Sequence, residues 1–406
     1  MKLPEFIGNG LDGISKIQGN VFKYYLIYAL LSLTFFTPVY IIFLQNNGMS
    51  LTQVMVLEAL YSLIMVVFLI PSGAFADLVG RKTVIVVGII AEIFAIISYA
   101  FGTGFWSFAV AEVLWGIGTA LIMSIDSILY DTLKSVKKEW EAKQIFANGF
   151  FFTLFFIVIG SSLSGFIVAI DIKLTFLLTI IPWAGALIVA LWFIEPSVYK
   201  KKKFNLANYF GHMNDAINEV KRKDVLLVII ASGLISGFGT INYSLIQPYL
   251  NASGIPLEFF GVFFAVYSLT AALSSKLLNK VGAGWPAGKF IVYGGVLLGM
   301  SYLVRGFVFD PIGAMLASLL TAVLMGILIP NFLTLVHKAI SSSRRATISS
   351  INIVLSSLIA GILGPLFGIL ADWSLSAVFI ALAICVTASI SSLCYLMPKK
   401  CSVRRI

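Results

Sequence analysis

The sequence predicts an all-α membrane protein of twelve spanning helices in two six-helix bundles. Three observations carry that prediction: an apolar composition, twelve apolar runs of spanning length, and one long polar stretch that divides them six and six. Of 406 residues, 59% are hydrophobic and only 11% are charged, against roughly 25% charged in soluble domains. Mean hydropathy is +1.00. Even a large soluble globule leaves much of its chain facing water, so lipid is the solvent that fits. The 34 glycines point the same way, because glycine lets spanning helices approach closely.

A helix needs about 20 mostly apolar residues to cross the hydrocarbon. Such runs are read at 24–45, 52–72, 83–102, 105–130, 146–169, 174–194, 225–250, 257–279, 289–309, 311–336, 347–370 and 375–397. Break signals separate them: Asn46-Asn47-Gly48, Gly80-Arg81-Lys82, Asp171 with Lys173, Gly282 to Gly284, and Asp310-Pro311. The polar stretch Glu195 to Asp224 implies an N-terminal bundle over 1–194, a linker over 195–224, and a C-terminal bundle over 225–406 with a short tail. Within the linker, Phe204, Leu206, Phe210, Met213 and Ile217 suit either a short interfacial helix or a solvated connection.

The cations set the expected orientation. With a cytoplasmic N-terminus, all of the 28 Lys and Arg except Lys173 and Arg305 fall on the inner side, as the positive-inside rule requires. Plasma-membrane localisation with both termini cytoplasmic is therefore expected. The net charge of +10 forms an inner girdle rather than one patch, which excludes nucleic acid as a partner. The expected partners are the bilayer, a small solute and protons, and a monomer is expected. Met1 to Asn20 lacks an apolar signal-peptide core, so targeting falls to the first spanning helix. Cys385, Cys394 and Cys401 have no metal or redox spacing. No nucleophile, metal or phosphate-loop constellation is present in the sequence, so the protein is expected to be neither an enzyme nor ATP-driven, with no cofactor beyond a proton gradient.

Between the second and third runs the chain reads PSGAFADLVGRK, with Gly73, Asp77, Gly80, Arg81 and Lys82 at fixed spacing. Gly73 suits a close helix contact and Gly80 a tight turn; Asp77 can face a helix N-terminus, and Arg81 can pair with a carboxylate. Residue types, spacing and topological position together resemble the loop signature of the major facilitator superfamily. That resemblance implies two bundles related by an axis along the membrane normal, alternating access, and a latch formed by this cluster. A degraded echo lies at Asn279-Lys280-Val281-Gly282, with Ala283 where Arg81 would have its counterpart.

Helix four carries Glu112-x-x-x-Gly116-x-Gly118, similar to a family motif that normally begins with Arg; Glu112 in its place puts the usual coupling arrangement in question. Stretches around Glu112 to Lys134 resemble a drug-efflux-like prokaryotic branch. Gly149, Gly160 and Gly165 form an incomplete antiporter motif, while Gly361, Gly364, Pro365 and Gly368 in helix eleven read as a packing and hinge element.

Ionisable residues inside the bilayer cost on the order of 2.5–3.5 kcal/mol and are functional candidates by default. Glu58, Glu92, Glu112 and Asp126 qualify. In one continuous helix, Glu112, Trp115, Thr119, Ile122 and Asp126 share a face. Asp126 and Asp131 lie roughly 140° apart, so one serves the cavity and the other Arg81. Asp131 is the better partner for Arg81; the reverse assignment uses the same chemistry. Glu92 is the weakest candidate. His337 and Arg305 read as interfacial, Arg305 as a snorkelling anchor near Asp310.

The resemblance places helices one, four, seven and ten around the cavity. There Phe36 and Tyr40 flank Pro38; Asn242, Tyr243 and Gln247 precede Pro248; and Asn331 follows Pro330. Aromatic walls with amides and carboxylates suit a neutral or cationic amphipathic solute. Organic anions are disfavoured for want of a deep Lys or Arg. The favoured function is proton-coupled efflux of amphipathic or drug-like compounds. The alternatives are import or facilitated diffusion of a sugar-like metabolite, and a non-transporting sensor or scaffold.

Overall fold

A computed structural model describes residues 13–195, 223–277, 285, 287–339 and 345–396. Residues 196–222 of the linker, which include the candidate interfacial helix, and the echo over 279–283 lie outside them, as do the side chains of Asp77 and His337. The described residues form helices and no strand: α1 (Gly13–Ser32), α2 (Tyr40–Asn46), α3 (Leu51–Val79), α4 (Arg81–Phe101), α5 (Phe105–Ile122), α6 (Ile125–Ser135), α7 (Ala142–Val168) and α8 (Ile172–Leu191). After the linker come α9 (Lys223–Ala252), α10 (Phe260–Leu277), α11 (Ala287–Arg305), α12 (Pro311–Ala339), α13 (Arg345–Trp373) and α14 (Leu375–Leu396). Among the described residues, 11 helical stretches are long and apolar enough to cross a membrane, and α11 occupies the place of the expected ninth span. Large apolar side chains such as Phe150, Phe166, Ile181, Leu316 and Ile362 stay exposed, which is what lipid-facing surfaces require.

Two expected spans are broken. The first divides into α1 and α2 around a 3₁₀ turn, Thr37–Val39. Pro38 causes this, since it has no N–H to donate and disfavours helix at the residue before it. The fourth divides into α5 and α6 at Met123 and Ser124, where Ser124 N–H turns to the Leu121 carbonyl at 3.1 Å. This tightening to i→i+3 bonding shifts the helical phase. Glu112 and Asp126 therefore do not share the face that a continuous helix would give them.

The chain forms two compact units, one of Met1–Pro38 with Ile64–Phe204 and the other of Val39–Leu63 with Asn205–Ile406. In the first, α4 and α5 cross where a Cβ on Gly88 would meet the Gly118 carbonyl at 3.0 Å. A Cβ on Gly160 of α7 would lie 2.6 Å from the Thr34 carbonyl oxygen, in the opened stretch after α1. Asn20 ties three elements together: its Nδ2 donates to Thr132 Oγ1 at 3.0 Å and the Ile194 carbonyl at 2.7 Å, while Ile194 N–H donates to its Oδ1 at 3.1 Å. Asn20→Ala should lower stability by about 1–3 kcal/mol, because it removes the partners of the partly buried Ile194 N–H and C=O. The check is a fall in melting temperature in detergent, with Asn20→Asp falling less if the Ile194 N–H bond is retained.

In the second unit the glycines of α13 receive the first half of α3. A Cβ on Gly368 would meet the Thr52 Cα at 2.8 Å and the Leu51 carbonyl at 2.9 Å, whereas Gly361 faces Ala59 at ordinary contact distance. Small residues at such faces let spanning helices pack backbone to backbone.

Candidate functional site

The motif turn begins with Gly80, whose φ of +102° only glycine adopts cheaply. The turn delivers Arg81 to α6: its Nη1 is ion-paired with Asp131 and also donates to the Ser127 carbonyl at 2.5 Å. Asp126 has different partners. Lys82 N–H donates to Glu195 Oε1 at 3.3 Å, and the Glu195 carboxylate lies where a Cβ on Gly80 would clash. An acid thus sits at the N-terminus of α4, where the helix dipole favours it. It is Glu195, not a residue within the motif, that is seen there. Gly73 makes no close helix contact; nothing among the described residues lies within 4 Å of a Cβ built on it.

Asp126 is exposed at the start of α6, and α1 supplies its partners. Tyr28 OH donates to Asp126 Oδ1 at 2.8 Å and Tyr24 OH donates to the same oxygen at 3.1 Å. The two tyrosines are one helical turn apart, so their hydroxyls reach the same point. Sequence reasoning missed both, although Tyr24-x-x-x-Tyr28 facing an expected cavity acid was the available signal. Around the carboxylate, the Tyr24 ring lies 4.8 Å from Tyr28 and 6.1 Å from Phe146, edge on. A Cβ on Gly149 would meet Tyr24 Cε1 at 2.6 Å, so glycine at 149 makes room for this ring.

Glu112 belongs to another cluster. It is buried between α4 and α5 and accepts the Tyr99 hydroxyl at 2.5 Å. Glu92 is drawn into the same interface, where Thr119 Oγ1 donates to it at 2.8 Å. Phe36 and Trp115 pack in an aromatic core: Phe36 lies 5.4 Å from Trp115 and 4.8 Å from Phe176, and Trp115 lies 5.3 Å from Trp183. Their rings are committed to that packing.

In the second unit, the expected amide group disperses. Asn242 Oδ1 accepts from Arg305 at 2.5 Å, Gln247 Oε1 accepts from Ile41 N–H at 2.8 Å, and Tyr243 packs edge-on to Phe264 at 5.7 Å. Helical spacing separates Asn242 from the other two, turning it about 100° from Tyr243 and about 140° from Gln247. Asn331 Nδ2 donates to the Ile327 carbonyl of its own helix at 2.8 Å, and Tyr40 is half-buried. Glu58 accepts Ser244 Oγ at 3.1 Å. It lines a small, partly open cleft with Met55, Ser62, Thr240, Ile241, Ser244 and Ala360. Arg305 is no snorkelling anchor: it is 0% exposed. Among the described residues, no group of three metal-binding side chains is assembled.

The model of the Major Facilitator Superfamily matches residues 25–365. The chain belongs to the Major Facilitator Superfamily. An uncharacterised MFS-type transporter of Bacillus subtilis (strain 168), YxaM, is 27% identical over 379 residues, which cover 87% of this chain and 90% of the relative. The fold is similar to that of the nucleoside transporter NupG, with a TM-score of 0.73 at 13% identity, covering 94% of this chain and 98% of the other. It is also similar to a bacterial homologue of the human lysosomal transporter Spinster in an inward-facing, unoccupied conformation. There the TM-score is 0.69 at 17% identity, over 97% of this chain and 96% of the other. A POT family transporter bound to a thioalcohol-conjugated peptide aligns with a TM-score of 0.69 at 15% identity, over 93% and 96%. This superfamily member is a multi-pass membrane transporter with an all-α fold.

Proposed function

We propose that the protein exports small amphipathic organic compounds in exchange for protons, across a plasma membrane with both termini cytoplasmic. The observation that carries this reading is Asp126, an exposed carboxylate gripped by two phenols beside a group of rings. A carboxylate that water can reach is able to gain and lose a proton, and the flanking rings favour a cation with apolar surface. Proton and organic cation would compete for the same oxygen atoms, which is the minimal requirement for exchange. Glu58, with its hydroxyl partner and small cleft, is a second candidate for proton traffic. Glu112 and Glu92 each accept a hydroxyl across the α4–α5 contact, apart from the Asp126 partners. The sugar-like alternative is weakened, because the amides of Asn242 and Gln247, which would bind hydroxyl groups, are engaged with Arg305 and the Ile41 N–H.

Purified protein in liposomes should accumulate a planar aromatic cation such as ethidium when a pH gradient is imposed. Accumulation should collapse when an ionophore dissipates that gradient. Ethidium movement indifferent to the pH gradient would sink proton exchange. Glucose movement in place of ethidium would favour the facilitator, and no flux of any solute would favour the scaffold.

A further inference from the structure

We infer that Arg305, with Asn242 and Tyr302, forms a buried site for a monovalent anion, either the carboxylate of an organic solute or an inorganic halide. Arg305 ends α11 and is 0% exposed, and Asn242 of α9 is 1% exposed. One guanidinium nitrogen, Nη1, donates to Asn242 Oδ1 at 2.5 Å. The other two nitrogens, Nε and Nη2, are buried with no hydrogen-bond partner, and so are Asn242 Nδ2 and the Tyr302 hydroxyl. The guanidinium carbon lies 5.6 Å from the Tyr249 ring centroid and 5.5 Å from that of Phe379. Tyr267 and Tyr302 are also within electrostatic range.

The chemistry of these groups has one sign. Arg carries only donors and keeps its charge in proteins, the unpartnered Asn242 nitrogen is a donor, and a phenol can donate as well. Arg81 and Lys138 pair with Asp131 and Glu141, whereas among the described residues Arg305 has no carboxylate within ion-pair distance. Asp310 is close in sequence, but its Oδ1 accepts Gly313 N–H at 2.8 Å at the start of α12. Aromatic faces offset part of the cost of a buried cation but supply no hydrogen-bond acceptor along the guanidinium edge. A water molecule could accept one or two of these bonds yet would leave the charge uncompensated, which is costly inside a membrane. A monovalent anion satisfies the donors and the charge together, and a carboxylate matches the guanidinium fork. This removes the ground on which organic anions were disfavoured as solutes.

The site is read from the second unit alone and stands whether or not proton exchange does. It is tested by melting the full-length protein in detergent at constant ionic strength, with sulfate as reference and chloride, nitrate, acetate and benzoate as probes. At least one monovalent anion should raise the melting temperature in a saturable way, since a ligand of the native state stabilises it. Saturation by acetate or benzoate identifies a solute carboxylate; saturation by chloride or nitrate alone identifies a halide-type site. Arg305→Gln should weaken the apparent affinity by roughly tenfold or more, the effect of losing one charge-assisted bond. Should that variant fail to fold, Asn242→Asp decides: an internal ion pair should raise the baseline melting temperature and abolish the anion response. Identical melting in all five anions, or an undiminished response in Asn242→Asp, overturns the site.

Discussion

Asp126→Asn is expected to reduce pH-driven transport to the level of empty liposomes while the protein still folds. Asparagine keeps an oxygen that can accept the Tyr28 hydroxyl, now 2.8 Å from Asp126 Oδ1, so the local geometry should persist. What disappears is the exchangeable proton and the negative charge that attracts a cation. The stability change should be small, about 1 kcal/mol or less, because Asp126 is exposed and water replaces lost hydrogen bonds there. Substrate counterflow, which needs no net proton movement, should survive in weakened form. Glu112→Gln is the matched comparison: its carboxyl is buried against Tyr99, so amide replacement should alter stability more than pH dependence. If Asp126→Asn retains the pH dependence of the unmodified protein, Asp126 is not where protons and solute meet.

The fold was legible because lipid imposes a crude and unforgiving rule: long apolar runs, few charges, cations on one side. The pairing of Arg81 with Asp131 also follows the angular separation of Asp126 and Asp131, which survives because both lie on the unbroken α6. The failures have local causes. The shared face of Glu112 and Asp126 assumed an unbroken helix, and nothing in the Met123-Ser124 sequence announces that the bonding tightens there. Arg305 looked like an interfacial anchor because it sits at a helix end; its burial comes from rings on other helices, Tyr249 and Phe379. Asn242 is close in sequence to Tyr243 and Gln247 but turns to another face of the helix, and the three side chains have different partners, so proximity along the chain did not make a site. Tyr24 and Tyr28 were readable from their i, i+4 spacing once Asp126 was chosen, yet only the fold shows that α1 lies against α6.

The second large effect should come from releasing α3 at its first turn. Asp372, at the end of α13, accepts Leu51 N–H at 2.7 Å, Thr52 N–H at 2.9 Å and Thr52 Oγ1 at 2.6 Å. A residue distant in sequence thereby does the work of an N-cap, satisfying donors that a helix leaves open. One turn earlier, Gly368 lets the α3 backbone come close enough for those bonds to form. The helix then runs from the second unit into the first, since residues 51–63 belong to one and 64–79 to the other. Any shift of the start of α3 away from α13 must break this clasp of bonds. Asp372→Ala removes a cap, and the loss of such caps costs about 0.5–2 kcal/mol. A loss near 1.4 kcal/mol multiplies the population of the released state roughly tenfold. The readout is maleimide labelling of Ala59→Cys, with Cys385, Cys394 and Cys401 replaced by Ser, because Ala59 lies against Gly361 on the same face. Labelling should accelerate severalfold in Asp372→Ala, and also in Gly368→Val, whose side chain pushes the Thr52 backbone away while the carboxylate remains in the chain. Two chemically different substitutions that open the same face would identify the clasp as a determinant of the conformational balance. Equal labelling rates in the parent and both variants would show that α3 is held by apolar packing alone.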